Sequence, residues 1–277
     1  MTEEKTIPTL VLGGTGKTGR RIAQRLIERG LSVRIGSRSG EPPFDWDDQA
    51  TWEPALRGVG AAYISYQPDL AVPAAVDAVR TFADLALKNG VRRLVLLSGR
   101  GEEKAQEAEQ ALMESGSDWT ILRASWFAQN FSESFLLDSI RAGEVVLPVG
   151  STEEPFIDAE DIADVAVAAL TDDSHIGQLY EITGPRMLTF ADAIAEIGEA
   201  SGRPIRYETV SPERYASLLE AHQVPADYVS LVMYLFTTVM DGRNAHMADG
   251  VQRALGRAPR DFADYAKGTA ATGVWAA

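Results

Sequence analysis

The feature that most constrains the fold is the stretch LGGTGKTG at residues 12–19. It follows the apolar run Leu10-Val11-Leu12, which predicts a buried strand, and it precedes an amphipathic stretch that predicts a helix. Two phosphate-binding patterns overlap in it. Gly16-Lys17-Thr18 matches the end of a nucleoside-triphosphate loop, whereas residues 14–19 match the G-x-G-x-x-G turn of a dinucleotide-binding domain.

Spacing distinguishes the two patterns. A nucleoside-triphosphate loop needs a glycine five residues before Gly16, and Val11 occupies that position within the strand. We therefore predict no ATP binding at Lys17 and Thr18. The dinucleotide pattern is complete, because its glycines directly follow a strand and open a helix. A purely structural glycine-rich turn is the alternative.

Each glycine has a physical role in the dinucleotide interpretation. Gly13 and Gly14 permit a tight turn and a close approach of the backbone to a pyrophosphate, and Gly19 lets the helix pack against the strand. The N-terminus of the helix then faces the phosphates. The residues of this turn that are predicted to bind the cofactor are Gly13, Thr15, Gly16, Lys17, Thr18 and Gly19.

The second predicted strand ends in a basic stretch without a carboxylate. NAD-specific domains usually carry Asp or Glu about 20 residues past the glycine turn, where it binds the ribose hydroxyls. Here residues 36–39 are Gly-Ser-Arg-Ser, and an arginine suits a 2′-phosphate, with Lys17 adding a second charge. Ser37 and Arg38 are therefore predicted to bind the cofactor, and NADP(H) is predicted to be preferred over NAD(H). The alternative is that Arg38 is only a solvated surface arginine.

Strand and helix patterns alternate up to about residue 184, which predicts a parallel sheet with helices on both faces. The predicted strands occupy residues 7–12, 31–36, 61–65, 91–97, 119–122 and 178–182, and the predicted helices 17–29, 51–57, 73–89, 102–115 and 160–171. Further along, helical patterns dominate, at 189–201, 211–222, 225–240, 246–256 and 259–267, with one strand at 204–210.

These patterns predict an α/β protein, a doubly wound parallel Rossmann sheet with a smaller, mainly helical C-terminal substrate-capping region. The Rossmann domain is assigned residues 1–128 and 156–184, and the substrate-capping region residues 129–155 and 185–277. The uncharged segment 228–240 is apolar on every side. It is therefore predicted to be buried in the capping region, in a substrate pocket or in a dimer interface.

Composition excludes several function classes. The 277-residue chain has no cysteine, which excludes disulfides, thiolate catalysis and cysteine-ligated metals, and its three histidines are too widely separated to predict a metal site. A formal net charge of −14 argues against nucleic-acid binding, because phosphate backbones require a basic surface. No apolar stretch is long enough to span a bilayer, and the N-terminus lacks the apolar core of a signal peptide. A cytoplasmic protein without membrane partners is expected.

Five stretches occur in an order typical of one family: LGGTGKTGRRIAQRL, FDWDDQATW, GVRRLVLLSG, SDWTILRASWFAQNF and FIDAEDIADVAV. On these stretches, across residues 7–185, the chain resembles the NmrA-like atypical short-chain dehydrogenases/reductases. This NAD(P)H-binding family includes quinone reductases, triphenylmethane reductases, festuclavine synthase-like iminium reductases and non-catalytic redox sensors. The resemblance implies a Rossmann fold and a nicotinamide cofactor.

The resemblance also implies roles for residues outside the glycine turn. Asp45 corresponds to the acidic residue that accepts a hydrogen bond from the adenine amino group, and Trp46 lines the adenine site. Ser65 and Tyr66 follow the third strand, where the backbone passes beneath the cofactor. Ser98 follows the fourth strand, where classical relatives place their catalytic serine, and it is also predicted to bind the cofactor. An alternative for the stretch around Asp45 is a capped loop, with an aspartate two or three residues later as the cap.

The chain departs from the classical short-chain dehydrogenases at their proton donor. They use Tyr-x-x-x-Lys, in which the lysine lowers the pKa of the tyrosine, and the chain contains no such motif. The corresponding positions fall near Gln106 and Gln110. A glutamine amide can orient a ribose hydroxyl but cannot donate a proton at neutral pH. Ser98 and Gln110 are the candidate catalytic residues, and ordinary ketone reduction is not expected.

Two functions are compatible with this departure. The first is NADPH-dependent reduction of a pre-activated, conjugated organic acceptor, such as a quinone, an iminium ion, an enone or a cationic dye, by a monomer or homodimer. The second is an NADP(H)-binding redox sensor without turnover. Trp126, Phe127 and Asn130 favour the reductase, because an aromatic wall with one amide suits a flat organic substrate. The alternative is that these side chains pack the capping region. Tyr215 and His222 are further possible substrate contacts.

Overall fold

The computed structural model describes residues 7–276, and they form two compact units. The first unit contains the residues through Ala124, together with Ala159–Ile182 and Gly250–Arg257. The second unit contains Ser125–Asp158, Thr183–Asp249 and the residues from Ala258 onward. Each unit has a hydrophobic core of its own.

A six-stranded parallel sheet forms the centre of the first unit. Its strands are β1 (Thr9–Leu12), β2 (Val33–Gly36), β3 (Ala61–Ile64), β4 (Arg93–Gly99), β5 (Asp118–Ala124) and β8 (Gln178–Ile182). Its helices are α1 (Lys17–Glu28), α2 (Trp52–Leu56), α3 (Ala75–Lys88), α4 (Glu103–Met113), α6 (Ala159–Thr171) and α10 (Gly250–Leu255). The strand order β2-β1-β3-β4-β5-β8 confirms the predicted doubly wound sheet.

The inner strands of this sheet are mostly apolar, because helices cover both faces of a parallel sheet. Leu94 and Leu96 of β4 belong to one buried cluster with apolar side chains of α3 and α4. Outside this cluster α1 and α6 pack together, and two ion pairs join them. Arg21 binds Glu160 at 2.6 Å, and Arg25 binds Asp164 at 2.7 Å.

The strand order changes direction between β1 and β3. The chain passes from β1 through α1 to β2 on one side of the sheet, and the later strands extend from β3 on the other. In doubly wound sheets ligands bind at this switch point, outside the carboxyl ends of the strands. The candidate binding edge therefore follows the last residues of β1, β3 and β4, which are Leu12, Ile64 and Gly99.

The second unit has an aromatic core and only small sheets. β6 (Glu144–Leu147) pairs in parallel with β10 (Arg206–Thr209), and β7 (Glu153–Glu154) pairs antiparallel with β9 (Leu188–Thr189). Its helices are α5 (Leu136–Ala142), α7 (Phe190–Ser201), α8 (Pro212–Ala221), α9 (Ala226–Tyr234) and α11 (Phe262–Ala271). The rings of Phe131, Phe156 and Phe190 contact one another, with centroids 5.4, 5.8 and 5.2 Å apart.

The helix predicted at 246–256 is shorter in the structure and belongs to the first unit. Its position in the sequence, among the helices of the capping region, predicts that it belongs to that region. Instead, Gly250 packs directly on β8, where a Cβ atom at this glycine would lie 2.1 Å from the carbonyl oxygen of Glu181. The absence of a side chain thus lets α10 approach the edge of the parallel sheet.

The segment 228–240 is only partly buried within the chain, so its burial in a substrate pocket or in a dimer interface stays a prediction. α9 ends at Tyr234 and residues 235–239 continue as one π-helical turn. Val229, Phe236, Val239 and Met240 are buried, whereas the Tyr228 side of the segment is about half exposed. No helix within residues 7–276 combines the length and apolar character needed to cross a membrane. Over the same residues, no cluster of His, Asp and Glu is arranged to hold a metal ion.

Candidate functional site

The glycine turn between β1 and α1 is too tightly packed for side chains. Gly13 has a φ of +64°, and its carbonyl oxygen accepts a hydrogen bond from the Gly16 N–H at 2.8 Å. A Cβ at Gly14 would lie 2.9 Å from the Val11 carbonyl oxygen. A Cβ at Gly19 would lie 2.2 Å from the Gly13 carbonyl oxygen, so α1 begins directly against the turn.

The first turn of α1 suits an anion. Gly16 is its N-cap and offers no side-chain acceptor to the helix N–H groups, and the first turn contains no acidic residue. Thr15 is exposed at the tip of the turn. The hydroxyl of Thr18 instead faces the sheet, where it accepts a hydrogen bond from the buried Tyr63 hydroxyl at 2.9 Å. Burial raises the pKa of Tyr63 and keeps it protonated.

Ser37 and Arg38, which follow β2, differ in their exposure to solvent. The Ser37 carbonyl oxygen accepts hydrogen bonds from Gly40 and Phe44, which fixes the turn that follows the strand. Arg38 is exposed. The close packing of the glycine turn and the uncapped start of α1 fit the pyrophosphate of a dinucleotide.

The residues predicted for the adenine site lie together beside the end of β3. The indole Nε1 of Trp46 donates to the Ser65 carbonyl oxygen at 3.0 Å, and its ring contacts the Tyr66 ring at 4.9 Å between centroids. The Asp45 carboxylate accepts from the Asp47 N–H at 3.1 Å. Asp48 caps the short helical turn that follows, so the capped loop and the aromatic wall are both present.

Ser98 lies in a polar row that crosses three strands. It is paired in register with Arg123 of β5, which is paired in turn with Glu181 of β8. Its hydroxyl donates to Glu109 of α4 at 2.6 Å, and Arg123 Nε donates to the same carboxylate oxygen at 2.9 Å. The bond to Glu109 also raises the pKa of Arg123.

Glu109 is 1% exposed and hydrogen bonds to Ser98, but the family spacing does not predict it. That spacing points to Gln106 and Gln110, which lie on the exposed face of α4. The Gln110 amide donates to Glu114 at 2.7 Å, and the structure does not bring it to Ser98. Helical periodicity offered the missing signal, because positions 105, 108 and 112 are apolar and share a face with 109.

A second polar feature joins the loops after β3 and β4. The carboxyl groups of Asp69 and Glu102 interact, and burial raises the pKa of both, so we expect the pair to hold a proton between them. Burial, followed by the charges of Asp69 and Glu109, raises the pKa of Glu102 well above its usual range. The Glu102 carboxyl occupies the space beside Gly99 where a side chain would lie, since a Cβ there would be 2.1 Å from its Oε1 atom.

This pair predicts a pH dependence of stability. The folded protein binds the shared proton more tightly than the unfolded chain, so the stabilisation is complete below the usual pKa of a glutamate. This stabilisation is lost as the pH rises towards the raised pKa of the folded state. For one proton, the free energy of unfolding falls by at most about 1.4 kcal/mol per pH unit. Glu102→Gln keeps a donor for Asp69 but does not titrate. We expect this variant to have a higher melting temperature than the unmodified protein at pH 8 and a flatter melting temperature profile between about pH 5 and 8.

Glu103→Gln is the matched control, because Glu103 is exposed one residue further along α4. It should leave the pH profile of the melting temperature unchanged. An unaltered profile in Glu102→Gln, measured by differential scanning calorimetry, would contradict the shared proton.

The predicted substrate residues lie in the second unit. The Trp126 ring contacts the rings of Phe190 and Phe236, at 5.7 and 5.2 Å between centroids. Its indole Nε1 is buried without a hydrogen-bond partner among the described residues. Phe127 and Asn130 are partly exposed.

The remaining candidates in this unit differ in exposure. Phe131, which follows Asn130 directly, is fully buried in the aromatic core and packs it. Tyr215 is buried against Phe236, and burial raises its pKa to about 12. His222 is exposed, with its ring Nδ1 2.8 Å from the Leu218 carbonyl oxygen.

Residues 13–173 match a protein family described as NAD(P)H-binding. The chain belongs to this family. Over 98% of its length it is 34% identical to the uncharacterized oxidoreductase YesF of Bacillus subtilis, of which it covers 99%. It is 32% identical to agroclavine dehydrogenase of Claviceps fusiformis, with 92% and 95% of the two chains covered. It is 31% identical to NAD(P)H azoreductase of Xenophilus azovorans, with 95% and 98% covered. These similarities confirm the resemblance found in the sequence and identify an NAD(P)H-dependent oxidoreductase.

Solved structures of low sequence identity share the fold of this family member. Triphenylmethane reductase of a Citrobacter species, complexed with NADP(H), superposes with a TM-score of 0.74 at 18% identity, covering 95% and 99% of the two chains. An NADPH-dependent quinone oxidoreductase of Escherichia coli gives 0.75 at 20% identity, covering 94% and 99%. Nmra, a negative transcriptional regulator, gives 0.67 at 16% identity, covering 96% and 98%.

Proposed function

We propose that this oxidoreductase uses NADPH to reduce a pre-activated, conjugated organic acceptor, such as a quinone, an iminium ion, an enone or a cationic dye. The observation that carries the proposal is the hydrogen bond from the Ser98 hydroxyl to Glu109. It engages the hydroxyl hydrogen that a catalytic serine would donate to a substrate oxygen. The chain has no Tyr-x-x-x-Lys motif, and Gln106 and Gln110 face outwards on α4.

The chemistry of the acceptor follows from this lack of a donor. The bound nicotinamide supplies the hydride. A ketone that receives it becomes an alkoxide, which needs a positioned acid. An iminium ion becomes a neutral amine directly, and a quinone becomes a phenolate that water can protonate. The protein then needs to supply only binding, orientation and exclusion of water.

Aromatic side chains in the second unit support a flat acceptor. Trp126 and Phe127 present rings, and the buried Trp126 Nε1 lacks a hydrogen-bond partner in residues 7–276. We propose that these residues and Asn130 bind the acceptor, with the indole N–H as a donor to it. Relatives support such an acceptor, since they are named as acting on azo compounds and on agroclavine.

We propose NADP(H) as the preferred cofactor, with Arg38 binding the 2′-phosphate and Lys17 adding charge. Arg38→Ala should weaken NADPH binding by about 1–3 kcal/mol, the worth of a charge-assisted hydrogen bond, and leave NADH binding nearly unchanged. Calorimetric titration with both cofactors measures the two effects. Arg80→Ala is the control, because it removes an exposed arginine of α3 that pairs with its helix neighbour Asp77 at 3.2 Å. Equal affinity of the unmodified protein for NADH and NADPH would contradict the preference.

A redox sensor without turnover is the second candidate. The same missing Tyr-x-x-x-Lys motif favours it, since a sensor needs the cofactor site but no proton donor. The two candidates differ in NADPH oxidation with conjugated acceptors, which a sensor would not show. The cytoplasmic location and the choice between monomer and homodimer stay predictions.

A further inference from the structure

The end of β4 holds a buried ionic network around a single hydroxyl. Ser98 is 4% exposed and Glu109 is 1% exposed. Arg123 donates to Glu109 through Nε at 2.9 Å and also through Nη2, and it reaches Glu181 through Nη1 at 3.1 Å. Glu181 in turn lies 3.7 Å from Arg100 Nε. Two arginines and two carboxylates therefore form a chain of ion pairs, which runs from Glu109 of α4 through Arg123 and Glu181 to Arg100.

The network fixes which partner donates in the Ser98–Glu109 bond. Arg123 contacts both carboxylate oxygens of Glu109, and guanidinium N–H groups only donate. Glu109 is therefore an acceptor on both oxygens. The serine has one hydrogen, which must point at Glu109 across the 2.6 Å distance. Ser98 Oγ can then only accept further hydrogen bonds, so any additional partner must be a donor.

The position of Ser98 indicates where that donor comes from. A dinucleotide in a doubly wound sheet binds its pyrophosphate at the helix after the first strand and extends along the carboxyl edge. Here the adenine-side residues follow β2 and β3, and the pyrophosphate turn follows β1. Ser98 is the penultimate residue of β4, further along the same edge. We therefore expect the nicotinamide half of the cofactor to bind at this end of the edge.

We propose that Glu109, held by Arg123, positions Ser98 as a hydrogen-bond acceptor for the nicotinamide half of the cofactor. The donor is the carboxamide N–H or a ribose O–H, both of which present a hydrogen to a lone pair. Glu109 is then a positioning residue that acts through Ser98. The inference rests on NAD(P)H binding and does not require that the proposed acceptor chemistry is correct.

The test compares the binding of two reduced cofactors in the absence of any acceptor. One is NADPH, and the other is its 3-acetylpyridine analogue, in which a methyl group replaces the carboxamide nitrogen. Ser98→Ala should weaken NADPH binding about threefold to tenfold, the worth of one neutral hydrogen bond. If the carboxamide is the donor, the analogue should bind both proteins equally. If a ribose hydroxyl is the donor, both cofactors should lose the same factor.

Two further variants test the role of Glu109. Glu109→Gln places an amide N–H beside Ser98 or Arg123, so the serine is no longer held as an acceptor and NADPH binding should weaken by a similar factor. The double variant with Ser98→Ala should then be no weaker than the worse single variant, because both changes remove the same bond. Glu181→Gln is the matched control, since it alters the other partner of Arg123 and leaves the Ser98–Glu109 bond in place. It should bind NADPH as the unmodified protein does.

Ser98→Cys covers the case in which the alanine variant does not fold, because a thiol still donates weakly to Glu109 but is a poor acceptor. It should also lose NADPH affinity. Unchanged NADPH affinity in a folded Ser98→Ala or Ser98→Cys variant would overturn the proposal. So would additive losses in the double variant, since a merely structural Glu109 would act independently of the serine. A protein that reduces no acceptor would still give these binding results, which separates this inference from the proposed function.

Discussion

Replacing Gly19 with alanine is expected to weaken NADPH binding about 10- to 100-fold, because the new Cβ would lie 2.2 Å from the Gly13 carbonyl oxygen. The other nearest atoms, the Gly13 carbonyl carbon at 2.7 Å and the Gly14 Cα at 2.8 Å, also belong to the backbone. A flexible side chain could move aside, but a turn fixed by its own hydrogen bond cannot. The start of α1 must shift away from the turn, and the N–H groups that face a pyrophosphate shift with it. Calorimetric titration with NADPH measures the loss.

Gly268→Ala is the matched control for this substitution. Gly268 lies within α11, and a Cβ there would meet no atom within 4 Å. The same change should stabilise the protein by about 0.5–1 kcal/mol, because alanine favours helices over glycine, and should leave NADPH binding unchanged. Tight NADPH binding in a folded Gly19→Ala variant would show that the close contact does not shape the cofactor site.

The first unit was largely predictable from the sequence, because its elements are defined by local patterns. The helix predicted at 17–29 is observed at Lys17–Glu28, and the strand predicted at 178–182 is observed at Gln178–Ile182. Apolar runs bounded by glycines specify buried strands, and a 3.6-residue period specifies a helix wherever the chain folds. The glycine turn is similarly local, since four glycines within seven residues, 13–19, admit few conformations.

The polar network at the end of β4 was not predictable in the same way. Ser98, Glu109 and Arg123 come together only once β4 and β5 pair and α4 packs on them. The family motif pointed to Gln106 and Gln110 by spacing, whereas the phase of α4 places Glu109 inward. Sequence patterns normally place a glutamate on the surface. The burial of Glu109 is explained by its ion pair with Arg123, which forms only in the folded chain.

The second unit was predicted less completely. Its strands β7 and β9 contain two residues each, too few for any alternating pattern to appear. The extent of exposure of the segment 228–240 depends on which neighbours reach it, and its apolar composition alone does not specify this. Likewise the return of α10 to the first unit depends on a single close approach at Gly250.

The second large effect concerns acceptor choice. With NADPH, the protein should reduce quinones, cyclic iminium ions, enones or cationic dyes with a kcat/KM at least about 10²–10⁴-fold above that for simple ketones, the range that a positioned acid contributes to such a reaction. The Ser98 hydrogen is engaged by Glu109, and the chain has no Tyr-x-x-x-Lys motif. A ketone oxygen would therefore find no proton donor from either source. Loss of NADPH absorbance with a panel of these acceptors measures the ratio.

Within this panel, conservative variants test where the acceptor binds. Trp126→Phe removes the unpartnered indole N–H and keeps an aromatic ring, so it should lower turnover while leaving NADPH affinity intact. Trp119→Phe is the matched control, because the same change at the start of β5 lies away from the carboxyl edge of the sheet. Asn130→Ala should act as Trp126→Phe does. Equal losses at Trp126 and Trp119 would contradict a specific role for the indole at position 126.

The two ways in which the panel could fail lead to different conclusions. Efficient reduction of ketones would contradict the missing acid, and the proton held between Asp69 and Glu102 at the ends of the loops after β3 and β4 would become the first candidate donor. Glu102→Gln should then abolish ketone reduction, since an amide cannot give up a proton at neutral pH. No NADPH oxidation with any acceptor, despite tight NADPH binding, would instead favour the redox sensor. In that case Trp126→Phe should leave NADPH binding unchanged, and Gly19→Ala should still weaken it by the same factor, because the cofactor site is common to both functions.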